Sequence, residues 1–274
     1  MTLDTNLALV SAVVQAIVIG LVYFRKLYRK LPLFFSYLIW LLLYAGATVK
    51  IANLYRDEVL QKIFVVAEII DAVFMFCVLV ELSMSVLSPI RSKLPRWSVF
   101  GVAGILAIAL AVIWPFAKTP GFAKLTDLSQ IQVHVDVATT VLRIVFFLAL
   151  AAFSQLLALG WRDRELQIGT GLGFYALVSL SATLWKMNVG VATTEALAVF
   201  HRMDQMQVVG YLVVLVYWVI CFAQEVPERR NFTPKMENMI VNLAYVARTT
   251  RITMVDTAEA EKRKKKEKKQ KDRV

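Results

Sequence analysis

Runs of about twenty apolar residues with hardly a charge among them recur along this chain, and they constrain its fold more than any motif does. The first, from Asn6 to Phe24, holds no acidic or basic residue at all. Hydrocarbon offers no water to a backbone N–H or C=O, so a lipid-buried segment must satisfy its own hydrogen bonds as a helix. At 1.5 Å per residue, roughly 20 residues cross a hydrocarbon core of ~30 Å. Six further runs fit that length: about Pro32–Asn53, Ile63–Leu87, Trp97–Phe116, Ile131–Leu159, Leu166–Val189 and Gln205–Gln224.

Composition agrees. Hydrophobic residues make up 58% of the 274 residues and charged ones 19%, against about 25% charged in a soluble domain. Mean hydropathy is +0.62. The predicted fold is all-α: a seven-helix transmembrane bundle over residues 1-224, a cytoplasmic amphipathic helix over 225-252 and a basic, disordered tail over 253-274. The start MTLDTN lacks the basic region of a secretory leader, so the first apolar run is expected to remain as a membrane helix. Cys77 and Cys221 both lie inside apolar runs and read as reduced packing residues.

Orientation follows from the Lys/Arg bias of the short loops. With the N-terminus outside, Arg25, Lys26, Arg29, Lys30, Arg91, Lys93, Arg96, Arg162 and Arg164 face the cytoplasm. Lys50, Arg56, Lys62, Lys118, Lys124, Lys186 and Arg202 fall on the other side, and the basic tail joins the cytoplasmic set. Tyr23, Trp97, Trp114, Trp161 and Trp185 sit at span ends, as interfacial aromatic residues do. The localisation expected is the cell membrane. Beyond the seventh run, Thr233 and Pro234 make a helix start, and Met236, Met239, Ile240, Leu243, Ala244 and Ala247 repeat at helical spacing. That face suits the inner membrane surface or a separate cytoplasmic or membrane protein.

Ionisable groups inside the spans are the candidates for chemistry, because hydrocarbon penalises them. Arg143 is the deepest. Asp136 lies seven residues before it on the same face, and Glu68 and Asp71 are one turn apart on the third run. Lys186 lies near the outer end of the sixth run and Asp204 at the start of the seventh. These six are expected in the outer half of the membrane, where they form either a ligand or ion pocket open to the outside or an ion-pair network joining helices. Glu81 is expected to reach the cytoplasmic interface.

His134-x-Asp136 and His201-x-x-Asp204 do not match a zinc spacing, so no metal site is expected. HExxH, GxSxG, a P-loop and GxGxxG are all absent, and neither histidine is at mid-span for haem. The expectation is a non-enzyme without catalytic residues or cofactor, binding the lipid bilayer but no nucleic acid. Seven helices followed by an amphipathic eighth is similar to the plan of G-protein-coupled receptors. The third run, however, ends in ELSMSV where that family carries an acidic-Arg pair, and the seventh lacks NPxxY. Bacterial seven-helix sensors share the plan but carry a cytoplasmic kinase or cyclase domain, for which this tail is short. Function is therefore expected to be receptor- or sensor-like; the alternatives are a transporter or channel-like subunit and a structural subunit of a membrane complex.

The end of the tail makes a direct prediction. Lys262, Arg263, Lys264, Lys265, Lys266, Lys268, Lys269 and Lys271 are expected to bind anionic lipid, each basic group near an anionic leaflet contributing about 1 kcal/mol. A peptide of residues 261–274 should bind anionic vesicles, and its affinity should fall as salt rises. Salt-independent binding would refute the electrostatic account.

Overall fold

Helix is the outcome wherever an apolar run meets the backbone constraint, and the chain forms seven of them within its described residues. The structure, a computed structural model, describes residues 3–51, 57–88, 98–117, 127–154, 162–189 and 194–224. The seven are α1 (Leu3–Phe24), α2 (Pro32–Ile51), α3 (Asp57–Val86), α4 (Ser98–Ile113), α5 (Asp127–Phe153), α6 (Arg164–Val189) and α7 (Thr194–Ala223). All but α2 belong to spans long and apolar enough to cross a membrane; α2 is apolar over the shorter stretch Pro32–Thr48. This is the build of a multi-pass membrane protein. The expected amphipathic helix and the basic tail lie outside the described residues.

Two helices begin well before the expected edges. α3 starts at Asp57 rather than Ile63, and α7 at Thr194 rather than Gln205. Their first turns are too polar to register as hydrocarbon-buried, yet they continue the same hydrogen-bonded helix. Asp204 therefore lies inside α7, not at its start.

Neighbouring helices pack in the order α1, α2, α3, α5, α6, α7 and back to α1, closing a ring. α3 also touches α6 across the interior, while α4 stands outside the ring against α3 and α5. Leu106 is the buried residue of α4. Phe100, Ile105, Ile108 and Val112 of that helix are exposed, and so are Leu9, Val13 and Ile17 of α1 and Val209, Val213, Val216 and Ile220 of α7. Water would not tolerate such contiguous apolar faces, whereas lipid matches them.

The core lies inside the ring, and aromatic rings of α2 and α7 meet in it. Phe34, Trp218 and Phe222 are buried there, Phe34 edge-on to Trp218 with ring centroids 5.3 Å apart. Their end of the ring is sealed by charged side chains that cap helices. Pro32 opens α2 without an N–H, and the next two donors, Leu33 N and Phe34 N, each reach a different oxygen of Glu81 at 2.8 Å. Glu81 is thus a cap for α2 rather than a group merely surfacing at the interface. Arg164 does the opposite job for α7. It donates to Cys221 O (2.5 Å) and Gln224 O (2.6 Å), and its guanidinium centre lies 5.5 Å from the Phe222 ring centroid. Arg25 adds a bond to Ala223 O at 2.6 Å.

Close approach of α6 to both its neighbours depends on missing side chains. A Cβ at Gly173 would come 2.4 Å from Phe147 Cγ on α5, and one at Gly171 would come 2.4 Å from Trp218 Nε1 on α7. The Gly169, Gly171 and Gly173 set is therefore a packing surface, as small residues are in membrane helix pairs. Gly173→Ala should destabilise the folded protein by about 1–3 kcal/mol through overpacking. Gly46→Ala, where nothing lies within 4 Å, should be neutral or stabilising. Thermal unfolding in detergent would check both, and equal effects would refute the packing account.

Candidate functional site

Four helices, α3, α5, α6 and α7, carry the six ionisable groups that the sequence singles out, and their order in the ring brings those groups near one another. α3 supplies Glu68 and Asp71, the adjacent α5 supplies Asp136 and Arg143, and α6, packed on α5, supplies Lys186. Arg143 is 5% exposed. It lies within electrostatic reach of Asp71, Asp136 and Glu68. No oxygen of those three carboxylates comes within 4 Å of its guanidinium, and Arg143 Nε has no hydrogen-bond partner among the described residues.

Tyrosines complete the setting. The Tyr37 side chain of α2 stands beside the Asp71 carboxyl group, and Asp71 Oδ1 has no hydrogen-bond partner among the described residues. Thr140 donates to Asp136 Oδ1 at 3.4 Å, one turn along α5. Tyr175 of α6 stands near Arg143, and Tyr211 of α7 near both Tyr175 and Asp71. The two rings meet edge-on at 5.5 Å between centroids. Arg143 lies nearer the C-terminal than the N-terminal end of α5, and Asp71 lies at the middle of α3. Within the apolar spans Gln61–Val86 and Leu128–Phe153, Glu68, Asp71 and Asp136 lie in the N-terminal halves and Arg143 lies past the midpoint.

Lys186 and Asp204 form their own pair. Lys186 Nζ lies 2.5 Å from Asp204 Oδ1, joining the last turns of α6 to α7. Lys186 also acts electrostatically on Asp136, which links the pair to the central cluster. The histidines are elsewhere engaged. His134 Nε2 is 2.9 Å from the Trp114 carbonyl oxygen, and His201 Nε2 is 3.0 Å from Gln205 Nε2. Among the described residues no group of three or more His, Cys, Asp or Glu is arranged to hold a metal ion.

A cleft of about 570 Å³ opens where α1, α2, α6 and α7 meet. His201 and Asp204 line it toward the N-terminal end of α7, and Tyr175 and Tyr211 line it nearer the middle of the ring. α1 contributes Ser11 and Gln15, one turn apart on one face and both buried. Gln15 Nε2 donates to Leu38 O at 2.8 Å. From α7 comes a polar stripe at helical spacing: His201, Asp204, Gln207 and Tyr211. Gln207 reaches across to Ser179 Oγ of α6 at 3.2 Å.

The sequence reading missed Tyr37, Tyr175, Tyr211, Ser11 and Gln15 as members of this region. Ser11 and Gln15 did carry a signal, being a polar pair at i, i+4 on an otherwise apolar helix. The tyrosines carried none, since an amphipathic ring reads equally well as packing. The charged residues of the basic tail named for lipid binding, Lys262 to Lys271, lie outside the described residues. Comparison with protein-family models, characterised proteins and solved structures returns no match.

The central cluster predicts an energetic coupling. One guanidinium faces three carboxyl groups in a poorly hydrated interior, so removing it leaves acids without their positive neighbour. Arg143→Leu should destabilise the protein by less than the roughly 3–5 kcal/mol of breaking a direct buried pair, and Asp71→Asn in the same chain should recover part of that loss. Additive effects in thermal unfolding would mean that the two residues do not interact.

Proposed function

We propose that this is a receptor- or sensor-like membrane protein that takes a small molecule from outside and reports its binding at the cytoplasmic face. In this reading all seven helices cross the bilayer, α2 included, with the N-terminus outside. The tail, residues 225–274, engages anionic lipid and a separate protein partner. The role is binding rather than catalysis.

One observation carries the proposal: the cleft wall is polar toward the N-terminal end of α7, and the other end of the ring is filled by packing. His201 and Asp204 line the cleft on that side, and Tyr175 and Tyr211 line it nearer the middle of the ring. Toward the opposite end stand the buried rings of Phe34, Trp218 and Phe222, and the arginine and glutamate caps beyond them. A one-sided cleft suits a molecule that binds and leaves by the same route. Its walls come from α1, α2, α6 and α7, so an occupant can alter how α1 meets α7, and α7 leads directly to the tail.

The mid-depth charge cluster supports a second reading, a transporter in which those groups escort an ion or solute. Side-specific labelling separates the two. In a chain with Cys77 and Cys221 replaced by alanine, Ala8→Cys and Ala12→Cys should react with a membrane-impermeant thiol reagent in intact cells and not in inside-out vesicles. Reaction from both sides would favour the transporter. Reaction from the tail side alone would overturn the orientation.

A further inference from the structure

We propose that the cleft binds an uncharged small molecule carrying hydroxyl or amide groups on an otherwise apolar body. This rests on the outward-facing cleft just proposed and names the chemistry it selects.

Two hydroxyl groups lead to that class. Ser11 is 8% exposed and lines the cleft, yet its Oγ has no hydrogen-bond partner. The same is true of Tyr211 Oη, which is buried in the same wall. A buried hydroxyl without a partner is unfavourable, and proteins rarely keep one. Two of them, on residues from different helices that line one cleft, make a donor–acceptor pair for something that enters. Each can give a proton or accept one, so they match an alcohol, a diol or an amide.

Charge is the second strand. Asp204, the acid of the cleft wall, is already held by Lys186, and His201 is engaged with Gln205. Glu68, Asp71, Asp136 and Arg143 are not among the residues that line the cleft. An ionic ligand would therefore leave water without a free counter-charge in the wall that receives it, which is strongly unfavourable. Of the uncharged polar residues, Gln15 and Gln207 are engaged with Leu38 O and Ser179 Oγ, and Leu7, Ala8, Ala12, Ala45 and Val208 make the apolar part of the wall. It suits a hydrocarbon portion.

Three probes of matched length test this on the full-length protein in lipid nanodiscs: hexane-1,2-diol, hexanoate and hexylammonium. The diol should raise the thermal midpoint at a concentration at least about tenfold below that needed for either ion. Ser11→Ala combined with Tyr211→Phe should weaken the diol effect about tenfold, the loss expected for two net hydrogen bonds. The same double variant without probe should unfold at an unchanged or higher temperature, because it removes two unsatisfied groups. A lower midpoint would make the hydroxyls structural and overturn the proposal, as would an ion acting at equal or lower concentration, or a diol effect indifferent to the substitutions. Labelling of Ala12→Cys keeps the two readings apart. If the reagent reaches Cys at that position from outside and the diol does not protect it, the ligand class fails and the outward cleft stands. If the reagent never reaches it, both fail.

Discussion

Donors and acceptors left over at helix ends are the strictest demand on this molecule, and three charged side chains meet it at one end of the ring. The first donors of α2 and the last acceptors of α7 have no partners within their own helices. Glu81 reaches from α3 to cap the former, and Arg164 reaches from the start of α6 to cap the latter, joined by Arg25. Each contact places a charge against the helix end of opposite partial sign, an arrangement that becomes stronger as water is excluded. These same contacts tie α2 to α3 and α6 to α7. The end of the ring is thereby both satisfied and closed, and the aromatic packing of Phe34, Trp218 and Phe222 fills the space beside it.

The middle of the ring is organised on the opposite principle. Arg143 stands among Asp71, Asp136 and Glu68 without a direct ion pair to any of them, and polar atoms there lack partners. Buried charge held loosely is a poor source of stability, since desolvation offsets much of the attraction. It is a better source of responsiveness, because small helix movements change which groups face one another. The cleft reaches this region through Tyr175 and Tyr211, and the glycine contacts of α6 determine how closely α5 and α7 flank it.

The seven helices were readable because each apolar run is long and nearly uncharged, and hydrocarbon permits little besides helix over such a run. The edges were less so. Polar first turns of α3 and α7 read as loop although they continue the helix, which put Asp204 at the start of the seventh helix rather than inside it. The six ionisable site candidates were also visible one by one, since charge in hydrocarbon stands out. Their company was not. Nothing in the spacing of Tyr37, Tyr175 or Tyr211 distinguishes a ring facing a carboxyl group from a ring facing lipid.

Sequence by itself determined what each segment is: a helix with an apolar surface, carrying a charge at Glu68, Asp71, Asp136 or Arg143 that must find company inside. Tertiary structure decided the company. It set α4 outside the ring, put α1 beside α7 and turned Arg164 inward to hold the end of α7. The physical reason is that burial in lipid is a local property, judged residue by residue along one helix. Partners for charges and hydroxyl groups come instead from helices distant in sequence, through close contacts such as Gly171 against Trp218 and Gly173 against Phe147.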